Sequence, residues 1–347
     1  MQFGIFDHVE RSDRPLATQY DERLEFVAAA DAAGFYAYHV AEHHCTPLNM
    51  VPVPGVYLGA VARLTKRLRL GPLVYLLPLY SPLRLLEEIC ILDQLSHGRL
   101  DVGVGRGVSP FELNYHKVDH AESREIFIDA FHCISKGLTE PTLSHDGKYF
   151  KYANVPVPLR ALQQPHPPFW YGSSNTTGAA WGGEHGMHFV ANGPTALAQA
   201  NIAAFRSALA RRGGPAVPKP EFAGGTAVGV LRHIVVADSI AEATRIAKPA
   251  FECHLANLNY LRGRHGSNEL TQRISMHQDV TYEDCVKSGM VIAGDPETVV
   301  AAVEQQAGVL GINYLLTYLF FGEMTLATAQ RSLALFSREV MPRLARL

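Results

Sequence analysis

The chain has 347 residues, of which 47% are hydrophobic and 18% charged, a composition typical of a globular protein with enough apolar mass for one large core. A net charge of −2 gives no field that would favour nucleic acid or an anionic membrane, and the apolar stretches fall short of the ~18 residues of a membrane span, so neither is expected as a partner. The first residues lack the basic and apolar pattern of a secretory signal, and the five scattered cysteines suggest neither a disulfide framework nor a zinc site, so we expect a cytoplasmic protein without a metal.

The first part of the chain alternates apolar, β-prone runs with amphipathic stretches, which is the rhythm of βα units. The pattern predicts strands at 3–9, 36–44, 68–77 and 100–104, and helices at 18–33, 54–64, 82–95 and 122–138. The next segment, 141–168, interrupts this rhythm. Asp146-Gly147 predicts a tight hairpin there, and the prolines that follow indicate an irregular path to Pro168. We interpret the segment as an excursion across the barrel face between units four and five.

The βα rhythm resumes after the excursion. It predicts strands at 169–171, 188–191, 226–236 and 313–320, and helices at 176–184, 195–211, 239–259 and 326–339. The segment 262–288 is polar and aperiodic, and we expect a long mobile loop there before strand eight. Eight βα units predict a (β/α)8 TIM barrel, a single domain over residues 1–347, with a doubly wound open sheet as the competing arrangement. In a barrel, the active site lies at the carboxyl ends of the strands.

Glu42-His43-His44 closes the second predicted strand and is the most informative cluster of the chain. Side chains alternate along a strand, so the two histidines share one pocket only if the strand has already ended. One of them is expected to act as a general acid or base, because the pKa of an imidazole lies near neutrality. A structural histidine is the plainer interpretation, and no metal-binding spacing surrounds the pair.

Two further clusters follow strand ends. Gly103-Val104-Gly105-Arg106-Gly107 lacks the third glycine of a dinucleotide-binding fingerprint, but it projects Arg106 where a guanidinium can bind a phosphate or carboxylate. The segment 172–178 opens a helix with several hydroxyls and free N–H groups, which favours an anion site, or simple N-capping. Arg124 lies at the start of a helix, where a solvated surface charge is the plainer interpretation. Each cluster taken alone stays ambiguous.

Together these segments resemble the bacterial luciferase-like, flavin-dependent monooxygenase family over most of the chain. The similar stretches include Ala41-Glu42-His43-His44, the run from Leu92 to Leu100, Gly105-Arg106-Gly107 and Pro165-His166-Pro167-Pro168. The resemblance implies a TIM barrel that binds reduced FMN and dioxygen, forms a flavin C4a-hydroperoxide and oxidises a small organic substrate. It also implies a separate flavin reductase and a homodimer formed through the early helices.

The resemblance assigns roles to particular residues of this chain. The catalytic histidine of the family falls on His43, and its non-proline cis peptide beneath the flavin ring falls on Leu73-Val74. Its phosphate-binding residues fall on Arg106, Arg124, Ser173 and Thr176, with Gly172 beside them. The two ambiguous clusters thereby become one expected anion site, at which each charge-assisted hydrogen bond could contribute on the order of 1.5–3 kcal/mol. His44 is then expected to pack, and Glu42 to orient the catalytic histidine.

The chain also departs from the family pattern. Gly105 replaces the reactive cysteine of luciferase, and Gly172 replaces an acidic residue, so light emission is not expected. Two rival functions stay open: hydride transfer from the deazaflavin F420, and a non-catalytic flavin-binding homologue. Phe6, Tyr75 and Tyr318 are expected to line the substrate pocket, which would suit many organic molecules.

Overall fold

The computed structural model describes residues 1–107, 109–266 and 280–347. The strands are β1 Gln2–Asp7, β2 Ala37–Val40, β3 Arg69–Pro72, β4 Tyr75–Leu76, β5 Val102–Gly105, β6 Thr142–Asp146, β7 Lys151–Pro156, β8 Phe169–Ser173, β9 His188–Ala191, β10 Val228–Val236, β11 Val291–Gly294 and β12 Tyr314–Tyr318. The helices are α1 Leu16–Ala33, α2 Pro54–Leu64, α3 Pro82–Leu95, α4 Pro110–Tyr115, α5 Ser123–Thr139, α6 Thr176–Glu184, α7 Thr195–Arg212, α8 Ile240–His265, α9 Tyr282–Lys287, α10 Pro296–Leu310, α11 Leu326–Leu335 and α12 Met341–Leu344.

The parallel strands form one sheet in the order β3-β2-β1-β12-β10-β9-β8-β5-β4. β3 and β4 are consecutive parts of one strand, interrupted at the cis peptide bond between Leu73 and Val74. A parallel bridge between Leu70 and Leu100 joins this strand back to the segment that leads into β5, so the sheet closes on itself. The predicted TIM barrel is confirmed. The expectation of a single domain over residues 1–347 stays a prediction.

The helix ends follow from local sequence. Pro54 and Pro82 occupy the first helical positions of α2 and α3, where a residue without a backbone N–H is tolerated. Gly34 ends α1 with a φ of 86°, a left-handed conformation that a residue with a side chain rarely adopts. These signals explain why the predicted bounds of the first three helices are close to those observed.

Aromatic side chains fill the interior of the barrel. The ring of Trp170 lies 5.0 Å from that of His39 and 5.2 Å from that of Tyr314. A Cβ at Gly4 would lie 1.8 Å from the Tyr314 hydroxyl, and one at Gly229 would lie 2.8 Å from its ring. The absence of side chains at these two positions therefore makes room for the tyrosine. The interior is a packed core, and a ligand must bind at one end of the barrel.

A buried ion pair fixes the carboxyl end of β1. Arg23 on α1 lies 3.2 Å from a carboxylate oxygen of Asp7, and it also donates to the carbonyl of Phe320 at 2.5 Å. The hydroxyl of Tyr38 donates to the other carboxylate oxygen of Asp7 at 3.0 Å. Removal of one partner of such a buried pair typically costs about 3–5 kcal/mol, because the other charge is left uncompensated. The pair holds the strand end from which His8 and Glu10 follow.

Two predictions about secondary structure need correction. The predicted loop at 262–288 is partly helical, because α8 continues to His265 and α9 occupies Tyr282–Lys287. Its centre, residues 267–279, lies outside the described residues. β11, which pairs with the second half of β10, was not predicted. Its four residues are too few to show a period. The hairpin of β6 and β7 is antiparallel, as predicted. No helix within the described ranges is long and apolar enough to cross a membrane.

Candidate active site

A cavity of about 810 Å³ opens at the carboxyl ends of the barrel strands. This volume is in the upper part of the range of about 300–1,000 Å³ that small-molecule sites occupy. Of the residues predicted to be catalytic or to bind the cofactor, seven line it: His43, Leu73, Val74, Arg106, Arg124, Gly172 and Ser173. Thr176 does not; it is exposed at the start of α6, and the next residue, Thr177, lines the cavity instead. Their roles as ligands of a cofactor stay predictions.

His43 forms a close pair with Glu112. β2 ends at Val40, three residues earlier, so the alternation of the strand no longer governs where His43 points. Its Nδ1 lies 3.1 Å from Oε1 of Glu112, and Oε2 of the same carboxylate accepts the backbone N–H of His44 at 3.0 Å. Burial opposes a charged imidazole, but the attraction and hydrogen bond of Glu112 outweigh it and raise the pKa of His43. Burial likewise opposes a charged Glu112, but His43 holds the pKa of that carboxyl below its usual value.

Glu112 was not among the residues predicted from the sequence, although a local signal was present. Ser109-Pro110-Phe111-Glu112 has the spacing of a helix N-terminus, with a serine cap, proline at the first position and glutamate at the third. The cap forms: Ser109 Oγ accepts the Glu112 N–H at 3.4 Å. The Glu112 side chain bonds to the histidine segment instead of returning to the cap. The pattern predicts the helix, whereas only the fold brings its glutamate to His43.

Glu42 orients His44, so the expectation that it orients the catalytic candidate His43 is wrong. Its Oε1 lies 2.9 Å from Nε2 of His44, and its Oε2 accepts the Leu76 N–H and the Tyr80 hydroxyl, each at 3.0 Å. Burial raises the pKa of Glu42 despite these partners. The carboxyl group connects the segment after β2 to β4 and so fixes the backbone on which His43 sits.

The predicted anion site lies where β5 and β8 end. Arg106 and Arg124 both lower the pKa of Tyr171, which burial would otherwise raise further, so both charges lie near that ring. Neither guanidinium takes part in an ion pair with any residue in the described part of the chain. Two cations therefore face the cavity without an anionic partner, which is an arrangement suited to bind a phosphate.

The start of α6 supplies neutral donors to the same region. Asn175 caps the helix through its side chain, which accepts the Gly178 N–H at 2.8 Å, and the Ser173 hydroxyl donates to the Asn175 carbonyl at 2.9 Å. N-capping is therefore performed by Asn175. The N–H groups of Thr176 and Thr177 have no acceptor among the described residues, so they stay available to an anion at a positive helix end.

Both departures from the family pattern have a spatial context. A Cβ at Gly105 would lie 2.3 Å from Cγ2 of Val74, so no larger residue fits there without displacement of the cis-peptide segment. At Gly172 the nearest atom to a Cβ would be Cδ1 of Leu73 at 4.0 Å, which leaves room for a side chain. The glycine at position 105 thus makes room for the Val74 side chain, and both residues line the cavity.

The expected pocket residues are only partly correct. Phe6 lines the cavity, but Tyr75 and Tyr318 are fully buried behind it. The hydroxyl of Tyr75 donates to Glu88 at 2.7 Å, and that of Tyr318 donates to Glu10 at 2.8 Å. Three further histidines that were not predicted line the cavity: His8, His233 and His254. No group of three or more His, Cys, Asp or Glu side chains in the described ranges could hold a metal ion.

Comparisons with known proteins give a consistent family. The model of the luciferase-like monooxygenase family matches residues 1–312. The uncharacterized protein y4wF of Sinorhizobium fredii is 35% identical over 99% of this chain and 97% of its own length. The oxygenase component of the flavin-dependent trigonelline monooxygenase of Acinetobacter baylyi is 29% identical over 70% of this chain and 67% of its own length.

Solved structures share the fold at low sequence identity. The monooxygenase RslO1 of Streptomyces bottropensis superposes with a TM-score of 0.86 at 23% identity, over 99% of this chain and all of its own. A second similar structure is that of the oxygenating constituent of 3,6-diketocamphane monooxygenase from Pseudomonas putida, solved in complex with FMN. Its TM-score is 0.79 at 21% identity, and the match covers 99% of this chain and 98% of its own. An F420-dependent secondary alcohol dehydrogenase superposes with a TM-score of 0.76 at 17% identity, over 99% of this chain and 98% of its own. The fold therefore accommodates enzymes of both cofactor types.

Proposed function

Because this chain belongs to the luciferase-like monooxygenase family, we propose that it is the oxygenase of a two-component system, which takes reduced FMN from a separate flavin reductase and uses dioxygen to oxidise a small organic substrate. The proposal rests on two groups that line the same cavity. One is the pair of guanidiniums of Arg106 and Arg124, which have no ion-pair partner among the described residues, and the other is the His43–Glu112 pair. The trigonelline monooxygenase, which is named an oxygenase component, supports the need for a reductase.

The residues of the cavity fit FMN. Arg106 and Arg124 would bind the phosphate, together with the N–H groups at the start of α6 and the hydroxyl of Ser173, whereas a role for the Thr176 side chain, which lies outside the lining, rests on the family resemblance alone. The Leu73-Val74 peptide and Gly105 would contact the flavin ring, with Gly172 beside them. Reduced FMN, when bound, supplies the electrons that activate dioxygen.

His43 would handle a proton at its Nε2 atom. Nδ1 is engaged by Glu112, whereas Nε2 has no hydrogen-bond partner among the described residues and borders the cavity. The raised pKa keeps a larger fraction of the imidazole protonated near neutrality, which suits a donor of a proton to cofactor or substrate. Glu112 acts through His43 and is therefore a positioning residue.

We also propose a homodimer that forms in the cytoplasm. The early helices α2 and α3 each expose a large apolar side chain, Val56 at 78% and Ile91 at 47%, and these two helices are the interface that we propose. All five cysteines are free thiols, which suits a reducing compartment. Light scattering coupled to size-exclusion chromatography measures the mass: a dimer supports this interface, and a monomer at all concentrations contradicts it.

Anaerobic titration of the protein with reduced FMN, in competition with F420, tests the cofactor. We expect saturable binding of reduced FMN, followed on admission of ¹⁸O₂ by incorporation of one labelled oxygen atom into a substrate from a panel of aldehydes, ketones, sulfonates and alkanes. Preference for F420 would favour hydride transfer instead. Absence of binding by either cofactor would refute both. Unchanged turnover in His43→Ala would show that His43 is structural.

A further inference from the structure

We infer that His254, held by the buried carboxylate of Glu10, accepts a proton from a substrate with an aromatic hydroxyl group. The site lies on the wall of the cavity that continues from His43 through His8. The inference rests on the proposed function, since it names a substrate class for the same cavity. It adds a second carboxylate–imidazole pair to the one formed by Glu112.

Glu10 is completely buried just beyond β1 and has donors on both carboxylate oxygens. Oε1 lies 2.9 Å from Nδ1 of His254 and accepts the Tyr318 hydroxyl at 2.8 Å and the Gly322 N–H at 3.2 Å. Oε2 accepts the side-chain amide of Asn257 at 2.9 Å. Burial alone would raise the pKa of Glu10, but His254 and these donors hold it below its usual value. Glu10 is therefore a fixed negative charge at neutral pH.

This contact determines which nitrogen of His254 can react. An ionised carboxylate only accepts hydrogen bonds, so the network assigns the proton of the neutral ring to Nδ1 and the lone pair to Nε2. Nε2 has no hydrogen-bond partner among the described residues and is not sealed from solvent, while the ring lines the cavity. The result is a base aimed at the cavity, with a carboxylate behind it to stabilise the imidazolium that forms.

The described titratable groups whose rings pack against His254 are two imidazoles and a phenol. His8 lies between His43 and His254, at ring distances of 5.5 and 5.7 Å, and burial lowers its pKa well below the usual value. The rings of His233 and Tyr318 pack at 4.6 and 5.7 Å. Within the described ranges, Glu10 is the carboxylate paired with this ring. A proton that arrives at His254 is thus stabilised by one negative charge.

The apolar part of the cavity lining points to the substrate class. Apolar side chains from several elements form the wall: Phe6, Leu231, Phe251, Leu255, Met290 and Leu316. Such a wall suits an aromatic ring, whereas a carboxylate would be repelled by Glu10. A phenol fits both features. Its O–H bond breaks, an N–H bond forms at Nε2 of His254, and the pair of Glu10 and His254 changes from charge −1 to 0 while the substrate becomes a phenolate. An alkane or ether has no proton to give.

Titration of the cofactor-free protein with 4-nitrophenol tests the inference, because its phenolate absorbs visible light and its phenol does not. At a pH at which the free ligand is mostly protonated, we expect wild-type protein to produce saturable phenolate absorbance. Glu10→Gln and His254→Gln should each reduce the bound phenolate at least about tenfold, as expected for loss of one charge-assisted hydrogen bond. The second variant retains the donors to Glu10 from Tyr318 and Asn257, so one variant remains if the other does not fold.

His145→Gln is the matched control. It breaks another carboxylate–imidazole pair, that of His145 and Asp129 at 2.6 Å, which lies outside the cavity lining. We expect the wild-type phenolate signal in this variant. Thermal unfolding followed by circular dichroism verifies the fold of all three.

Three results would overturn the inference. The first is unchanged phenolate absorbance in folded Glu10→Gln or His254→Gln. The second is equal affinity of the wild type for 4-nitrophenol and for 4-nitroanisole, which has no hydroxyl group. The third is the absence of saturable binding of 4-nitrophenol to the wild type. Reduced FMN is titrated separately. If FMN binds while the phenolate signal fails, the substrate class is wrong and the cofactor assignment stands; if FMN fails to bind, the proposed function itself is refuted.

Discussion

Substitution of Glu112 by glutamine removes the charge behind His43 while it keeps the size of the side chain. A glutamine oxygen can still accept the His44 N–H that Oε2 now accepts at 3.0 Å, so the backbone after β2 retains its anchor. What is lost is the charged acceptor 3.1 Å from Nδ1 of His43. Burial, which opposes the imidazolium, is then offset only by the attraction of Glu42, and we expect the pKa of His43 to fall.

The magnitude follows from the strength of a hydrogen bond to an ionised group, about 1.5–3 kcal/mol. At about 1.4 kcal/mol for each factor of ten, kcat should fall about 10- to 100-fold if protonated His43 donates in the slow step. The loss must not exceed that of His43→Ala, since Glu112 acts only through the imidazole.

The same pair makes folding stability depend on pH. The pKa of His43 is higher in the folded protein than in the unfolded chain, where it is about 6.5. The stabilisation that His43 gives to the folded state is therefore complete below about pH 6.5 and is lost as pH rises through the pKa of the folded state. Because the pKa of folded Glu112 is lowered, its contribution is present above the unfolded value of about 4.3 and is lost as pH falls through the folded one. Wild type should therefore gain stability over Glu112→Gln mainly between about pH 4.3 and 6.5.

NMR titration of labelled histidines, with His43→Ala to assign the signal, measures the midpoint directly, and urea unfolding between pH 4 and 8 measures the stability difference. Glu297→Gln is the control, because it removes an equally charged partner from an exposed ion pair with Arg343. We expect that control to change stability by less than about 0.5 kcal/mol and to leave the His43 titration unchanged. An unaltered His43 midpoint in Glu112→Gln would refute the reasoning.

Two further predictions concern the cofactor end of the cavity. Arg106→Ala and Arg124→Ala should each weaken FMN binding about 10- to 100-fold in a fluorescence titration, because each variant loses a charge-assisted hydrogen bond to the phosphate. Riboflavin has no phosphate, so its binding should stay unchanged. An equal loss of affinity for riboflavin would contradict a phosphate site. Gly105→Ala should lower the free energy of unfolding by about 1–3 kcal/mol, because the new Cβ would lie 2.3 Å from Val74. Gly172→Ala should be tolerated, because the nearest atom to its Cβ would be 4.0 Å away. Equal midpoints of urea unfolding for the two variants would contradict the close contact at Gly105.

Local signals in the sequence predicted the eight βα units, and the family resemblance favoured a barrel over a doubly wound open sheet. The period of the apolar residues and the turn residues at element ends, such as Gly34 and Pro54, act within a few residues, and the observed helices begin and end close to the predicted positions. The short elements β11 and α4 were missed because they contain too few residues to show a period. The 15-residue helix α10 was also not among the predicted helices. The placement of His43 at the carboxyl end of a strand also followed from the sequence, since in a barrel that position faces the site, although the strand itself ends earlier than predicted, at Val40.

Tertiary structure alone decided which groups became partners. Glu42 is next to His43 in the chain but bonds to His44, whereas Glu112, 69 residues away, bonds to His43. Glu10 meets His254 across 244 residues. The physical reason is that the period of the apolar residues reports only which face of a helix or strand is buried. Hydrogen-bond partners depend instead on which segments the closed sheet brings together at the carboxyl ends of its strands. The amino-acid sequence thus determined the scaffold and where on it the site lies, and the closure of the barrel determined the chemistry of each pair.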